Sequence, residues 1–403
     1  GGGDTADVAL PLYQGVMIWQ IHAASADYVR GATHSARWER RSGYIPWLAI
    51  PQFLMGADDA NSEMGTSLRM RVGFRAIQNA TNQRTMIATI IPRTPAGNSL
   101  GVISSTDYQS LLLPAFLCDF AYDYSLRPRM SQANLNWFIL EETPVPQRQT
   151  LDRQQLSTMF RYVAGVATPN VTFAELWTVA HSHVQSVSWR PLWAVTDYER
   201  LRTRACCDAM ASLLRGLCFA DLKGMLRDCD HPASSTSTDT FTRDLYMKDF
   251  WRVDKDKDPE LRHTVLTLIA FHDLESKVRE HGGDRDAGIA AFLNQNHGEG
   301  WLLPETLRLA DYGLGHDDRA QQHQPVASRL GPRFYDWQLA QTAEESWREC
   351  HLHARNLLGE EDYQELLADI AAERDGITPH TPAASPPPPA PAPPPGPQQG
   401  SLF

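Results

Sequence analysis

The sequence predicts an α+β protein: a small mixed sheet region, then a mainly helical region, then a disordered Pro-rich tail. Three observations predict it. Up to about residue 148, apolar and β-branched residues come in short runs punctuated by Gly, Pro, Asn and Asp, the pattern of strands and turns. Beyond Pro146 the apolar residues recur every three or four positions, which is the helical period. From Thr378 to Gln399 Pro and Ala dominate, and such a composition buries no core and favours extended polyproline.

The elements follow in order. Val16–Ile21, Trp47–Leu54, Met70–Ile77, Arg84–Ile91 and Leu100–Ser104 read as strands. A helix is predicted over Asp107–Leu126, capped by Thr106 or Asp107, because Leu111, Leu112, Ala115, Phe116, Phe120 and Tyr124 share one face. Leu135–Leu140 reads as a further strand, stopped by Pro144 and Pro146. Helices are then predicted over Leu151–Ala164, Thr172–His183 (capped by Thr172) and Tyr198–Leu217. The polar stretch Ala233–Thr240 reads as a loop. Asp258–His281 is helical with Pro259 in its first turn, and Asp286–Asn294, Leu339–Leu358 and Glu361–Arg374 complete the series. The implied organisation is a recognition-like region over 1–148, helical support over 149–232, a polar linker over 233–247, a helical region over 248–376 and the tail over 377–403.

Composition narrows the function classes. The chain of 403 residues is 42% apolar and 21% charged and contains no apolar run long enough to cross a bilayer, so a soluble, cytoplasmic protein is expected. A net charge of -11 argues against a chain that coats nucleic acid indiscriminately, although one basic face on an acidic body remains compatible with it. The six cysteines fit neither a disulfide framework nor paired zinc knuckles, and read as reduced thiols. Gly1-Gly2-Gly3-Asp4 has no signal-peptide character and no initiator Met, which suggests a start inside a longer parent. Arg greatly outnumbers Lys, and the first Lys is Lys223. Arg suits bidentate contacts to phosphate and guanine, but a GC-rich genome gives the same bias.

A search for chemistry finds no catalytic centre. There is no Gly-rich cofactor loop, no Asn/Asp-Pro-Pro-aromatic loop, no phosphate-binding GxxxxGK[ST] and no HExxH helix, so no catalytic, cofactor-binding or metal residue is assigned. Cys350-His351-Leu352-His353 offers metal-ligand types, but only Cys350 and His353 would share a helical face; a plain helix surface is preferred. His181 and His183 read as residues of a helix end. Asp254-Lys255-Asp256-Lys257-Asp258 reads as a solvated turn before a capped helix rather than a nuclease cluster. More suggestive are the first 150 residues, with twelve Arg against twelve Asp plus Glu. Arg37, Arg40 and Arg41 surround Trp38 in a segment that also holds His34 and Tyr44, while Arg127 and Arg129 precede the polar run Ser131-Gln132-Ala133-Asn134. Such loops beside a small sheet can read base edges and phosphates. Taken alone, they read first as solvated surface loops.

Longer strings carry a resemblance. LPLYQGVMIWQ over residues 10–20, FRAIQNATNQRTMIA over 74–88 with Pro92 beyond it, FAYDY over 120–124 and NLNWFILEETPVP over 134–146 occur in order and at plausible separations. They resemble the segments that follow the catalytic domain in large adenine-specific DNA methyltransferases, namely the Eco57I-type restriction-modification enzymes and the methylases of the BREX and DISARM phage-defence systems. Trp189–Trp193 through Cys207, and Phe250–Thr264, resemble their helical part, the latter closest to the DISARM branch. The resemblance covers most of residues 8–375. It departs at Ser131–Asn134, where relatives often carry a Gly-Gly-Ser/Thr-His run, and at Arg37–Arg41, in a segment of varying length.

The resemblance implies a C-terminal region that grips double-stranded DNA and selects the site. An N-terminal domain of the same parent would bind S-adenosyl-L-methionine and methylate a flipped adenine at N6. The expected DNA contacts are Arg37, Arg40, Arg41, Asn79, Asn82, Arg127, Arg129, Gln132 and Asn134. The Arg84-Thr85 strand is expected to be internal support. Expected partners are duplex DNA, the methyltransferase domain of the parent and other defence-system proteins, with no membrane. This chain alone is expected to be inactive. Two alternatives stay open: a non-enzymatic DNA-specificity subunit, and part of a fused restriction endonuclease-methyltransferase.

Overall fold

The strand expected over Met70–Ile77 forms over Arg71–Arg75 and becomes the centre of a three-stranded sheet. In the computed structural model, which describes residues 9–32, 35–64, 71–80, 82–104, 111–130, 133–146, 153–181, 184, 187–226, 250, 254, 257–314 and 322–374, four strands precede it. These are β1 (Ala9–Pro11), β2 (Ala26–Arg30), β3 (Arg37–Arg40) and β4 (Leu54–Gly56), with helix α1 (Ala57–Met64) after them. Then come β5 (Arg71–Arg75), β6 (Ala88–Ile91) and β7 (Leu100–Ser104), joined in the order β6-β5-β7. Every named strand pair is antiparallel, so the expected mixed sheet is corrected to small antiparallel ones. Val72 and Phe74 of β5 and all of β6 are buried, which suits a sheet covered by helices.

Three of the expected strands are not strands, and of Trp47–Leu54 only Leu54 lies in one, at the start of β4. Gly15–Met17 is a 3-10 turn, and Arg75 fixes the segment by donating to the Gly15 carbonyl (2.7 Å) and to those of Val16 and Ile18. Of Leu135–Leu140, residues 137–140 lie instead in helix α4 (Trp137–Glu142), where Ile139 and Leu140 face inward and Trp137 and Phe138 outward. A six-residue apolar run cannot be assigned by period alone, and here burial of two adjacent residues favoured the helix. The helix expected over Asp107–Leu126 is broken. Its described part is α2 (Leu113–Leu117) and α3 (Phe120–Leu126), and Asp119 ends one and caps the other by accepting from Tyr122 N at 2.7 Å.

The helical half follows the sequence closely. It comprises α5 (Arg153–Ala167), α6 (Ala174–His181), α7 (Asp197–Leu214), α8 (Phe219–Met225), α9 (His263–Glu280) and α10 (Arg285–Asn294). After the short pair β8 (Thr306–Leu307) and β9 (Gln324–Pro325) come α11 (Asp336–Leu339), α12 (Ala343–Leu358) and α13 (Glu360–Arg374). Thr196, Asp284 and Thr342 cap α7, α10 and α12, each accepting from a first-turn N–H. Asn170, rather than Thr172, caps the 3-10 turn that leads into α6. Pro259 lies in a separate 3-10 turn, and α9 starts four residues later, at His263.

α7 is the hub. Its small residues Ala205, Cys206, Ala209 and Ala211 let α9 and α5 approach closely. One contiguous core joins the sheet (Val72, Phe74, Ala88) to the helices (Trp177, Trp193, Phe271), while a smaller cluster of Tyr13, Met17, Ile18 and Ile91 lies beneath the hairpin region. The polar linker 233–247 and the tail lie outside the described residues.

Candidate nucleic-acid interface

β2 and β3 form an antiparallel hairpin in which Tyr28 faces Trp38, their rings edge to face at 5.6 Å, and Arg30 lies opposite Arg37 across a register shift. Gly31 turns the chain with φ 94°, and a Cβ there would collide with the Ser35 carbonyl, so only Gly fits. Arg30, Arg37 and Arg40 are exposed, and none of them makes an ion pair among the described residues. The Arg40 guanidinium sits 5.1 Å from the Trp19 ring, and Arg75 sits 5.2 Å from the same ring. Burial, and then the charge of Arg40, push the Arg75 pKa down to about 10. The hairpin is therefore a positively charged prong mounted on an indole.

Arg41 is different. It forms a bidentate pair with Asp27 (2.9 Å to each oxygen) and donates to the Trp47 and Leu48 carbonyls at 2.6 Å, with its side chain only 4% exposed. The expectation of a DNA contact is corrected: every side of this fork is used to fold the 41–50 loop onto β2.

The second expected surface forms just beyond Arg75, the last residue of β5. Residues 76–78 pair with 133–135, through Gln78 N to Ala133 O (3.0 Å), Leu135 N to Ala76 O (2.8 Å) and the bridge of Ile77 with Asn134. Asn79, Asn82 and Asn134 are brought together here, all exposed, and Asn82 Nδ2 donates to Gln78 Oε1 at 2.6 Å. Ile77 (62% exposed), Trp137 and Phe138 (58%) give the same end of the sheet an apolar surface. Arg129 is exposed and donates to the Ser125 carbonyl. Gln132 lies outside the described residues.

Arg127 does not join them. It is 3% exposed, pairs with Asp123 at 2.6 Å, donates to the Gln83 carbonyl (3.0 Å) and lies over the Phe250 ring. The sequence reading of Arg127 as a phosphate contact is corrected, because a guanidinium sealed under Phe250 cannot reach a duplex. Its role is to tie Gln83 to α3. Arg84, read as internal support, is indeed buried, pairing with Asp123 (3.2 Å) and lying over Phe120.

The other singled-out groups fold into the helices. Cys350 Sγ turns to the Ala174 carbonyl (3.5 Å), while His351 bridges His181 Nδ1 (3.0 Å) and the Tyr363 hydroxyl (2.9 Å), so these ligand types point to different partners. Asp254 is not solvated as expected. It is buried, and its Oδ2 accepts from Thr264 N (3.0 Å) in the first turn of α9. His183 lies outside the described residues. Among the described residues no group of three or more His, Cys, Asp or Glu could hold a metal ion. Among them, too, no helix is long and apolar enough to cross a membrane.

No protein-family model, curated protein or solved structure matches this chain.

Sequence reasoning missed Arg30 and the Trp19–Arg75 support. Ala26–Arg30 has too few apolar residues to show a strand period, but Tyr28 and Trp38 flanking a Gly-containing turn were the available signal.

Proposed function

We propose that this chain is a DNA-gripping, target-recognition part of a SAM-dependent adenine-N6 methyltransferase of a restriction-modification or phage-defence system. The methyl transfer and the S-adenosyl-L-methionine belong to another domain of the parent. The resemblance of the strings at 10–20, 74–88 and 134–146 supports this reading. The observation that carries it is the hairpin, where Arg30, Arg37 and Arg40 stand exposed and, among the described residues, without carboxylate partners on a protein of net charge -11. A local positive prong on an acidic body attracts a duplex without coating it, and phosphate contacts of this kind set the register from which nearby polar groups read bases. Asn79, Asn82 and Asn134 are such groups, since a carboxamide pairs with adenine in the major groove.

The test is duplex binding across a salt series. Arg37→Ala with Arg40→Ala should weaken binding and reduce the slope of log K against log salt by about 2, at about 0.9 for each phosphate no longer neutralised. A double variant that folds normally and binds with an unchanged slope would move the interface elsewhere. Methyl transfer from S-adenosyl-L-methionine by this chain alone would overturn the division of labour.

The exposed Ile77, Trp137 and Phe138 favour a second reading, a specificity subunit that docks on a separate methylase. A methyltransferase domain encoded in phase ahead of Gly1 would exclude it.

A further inference from the structure

Three aromatic rings stand in a row on the surface of the helical half. Tyr335 and Trp337 stack at 6.4 Å with 22° between their planes, and Trp337 stacks on Tyr44 at 5.3 Å and 27°. Tyr335 is 37% exposed and Trp337 39%, while Tyr44 is half-buried. The row is held from within. Gln338 is fully buried, donates to the Arg190 and Trp193 carbonyls (3.0 Å each) and accepts from Tyr335 N at 3.0 Å. The Arg190 guanidinium lies over the rings of Trp193 (4.4 Å) and Trp337 (5.9 Å), and Trp193 packs beside both Tyr44 and Trp337. The rings are thus fixed in place by the fold, which lowers the cost of binding to them.

Charge indicates the kind of partner that fits. Arg190 is paired with Glu349, and Arg333, two residues before Tyr335, is paired with Glu199 and with Glu299 (2.7 Å). These guanidiniums are spent on carboxylates, unlike Arg30, Arg37 and Arg40 of the hairpin, so an anionic backbone gains little here. An uncharged ligand that packs on aromatic rings does gain. Polyproline is such a ligand, because its backbone is already ordered and aromatic-lined grooves take it at small entropic cost.

The chain itself supplies one, in the runs Pro386–Pro389 and Pro393–Pro395. Short steps join the row to the helix from which that segment departs. Arg190 meets Glu349 of α12, His351 lies two residues on, and His351 Nδ1 is 2.9 Å from the Tyr363 hydroxyl of α13. Arg374, the last residue of α13, is about 17 Å farther along that helix at about 1.5 Å per residue. As polyproline, at about 3.1 Å per residue, the chain beyond Arg374 spans about 37 Å to Pro386 and about 65 Å to Pro395. That is enough to bring a proline run onto the rings. Tethering also holds the segment at an effective concentration of about 1 mM, so modest contacts suffice.

We propose that the row of Tyr335, Trp337 and Tyr44 is the docking face for the chain's own Pro-rich segment, residues 386–395. Proline rings of that segment pack on the exposed aromatic surface. The docking uses no residue of the hairpin, so it stands whether or not the chain grips DNA.

The experiment is hydroxyl-radical footprinting of the full chain, read residue by residue by mass spectrometry, with and without the proline runs. In the comparison chain each proline of the two runs is changed to Ser (Pro386→Ser to Pro389→Ser and Pro393→Ser to Pro395→Ser). Oxidation of Tyr335 and Trp337 should be several-fold slower in wild type than in the Ser variant at every protein dilution, while exposed Phe138 reacts equally in both. A peptide of residues 385–397 should restore the protection saturably in the Ser variant, and should bind wild type more weakly because the tail competes. Adding Tyr335→Ala or Trp337→Ala to the Ser variant should remove peptide binding while melting still shows a folded protein. Equal oxidation of both rings in wild type and the Ser variant would overturn the proposal, and this arm changes no residue of the sheets or helices. So would protection that fades on dilution, which would assign the face to a second copy. Protection by a single-stranded oligonucleotide but not by the peptide would likewise overturn it, in favour of base stacking.

Discussion

Asp123→Ala should be among the most destabilising single changes available in the first half of the chain. The Asp123 carboxylate is fully buried; it accepts from Arg127 Nε (2.6 Å), Thr85 N (3.0 Å) and Met86 N (3.2 Å), and lies within ion-pair distance of Arg84 Nε (3.2 Å). Its removal leaves two buried guanidiniums without their shared counter-charge, at a cost of about 3–5 kcal/mol for a broken buried pair. The two amides lose their acceptor, which adds about 1–3 kcal/mol each before relaxation. Because all four groups meet one side chain, the terms do not simply add, and a loss of about 5 kcal/mol is expected. That is comparable to the whole stability of many domains, about 5–15 kcal/mol, so Asp123→Ala should give little folded protein. Asp123→Asn keeps an acceptor and the shape but not the charge, and should lose about 2–3 kcal/mol. The assay is urea unfolding followed by tryptophan fluorescence. A loss below about 1 kcal/mol for Asp123→Ala would refute the account, because a carboxylate that holds two sealed arginines cannot be dispensable.

The same network separates folding from binding. Arg127→Leu should lower the urea midpoint, yet leave the salt slope of duplex binding by the folded fraction unchanged, opposite to the hairpin variants. Gly101→Ala places a Cβ 2.3 Å from Phe74 Cζ across the β5–β7 pair and should destabilise by about 1–3 kcal/mol of overpacking, read as a lower urea midpoint; a neutral result would mean that β7 shifts freely. The His181–His351 contact should make stability acid-sensitive. Burial, and then His351, hold His181 down to about 4, below the usual 6.5, so the unfolded chain takes up protons first and stability falls as pH drops from about 6.5 towards 4. Thermal melting across that window should show this acid limb, and His181→Phe should flatten it; an identical limb in the variant would place the titration elsewhere.

The sequence by itself determined the helical half. Period and length located α5, α7, α10, α12 and α13 to within a few residues, and the caps that the structure adds, Thr196, Asp284 and Thr342, act on N–H groups only two or three positions away. It also determined β5 and β7, whose β-branched and apolar runs are bounded by turn residues. Local chemistry of that kind is complete within one stretch of chain.

Tertiary structure decided what period could not. Trp137–Glu142 is a helix because the packing of Ile139 and Leu140 outweighed an ambiguous six-residue run. The fate of each arginine was also decided at long range. Arg37 and Arg40 stayed exposed, whereas Arg41 met Asp27 across the hairpin, and Arg127 met Asp123 one turn away and was then sealed by Phe250, far along the chain. A guanidinium reads the same in sequence whether it faces water or a buried carboxylate. Only the partner, brought from elsewhere by the fold, decides whether its charge is spent inside the protein or left free to hold a phosphate.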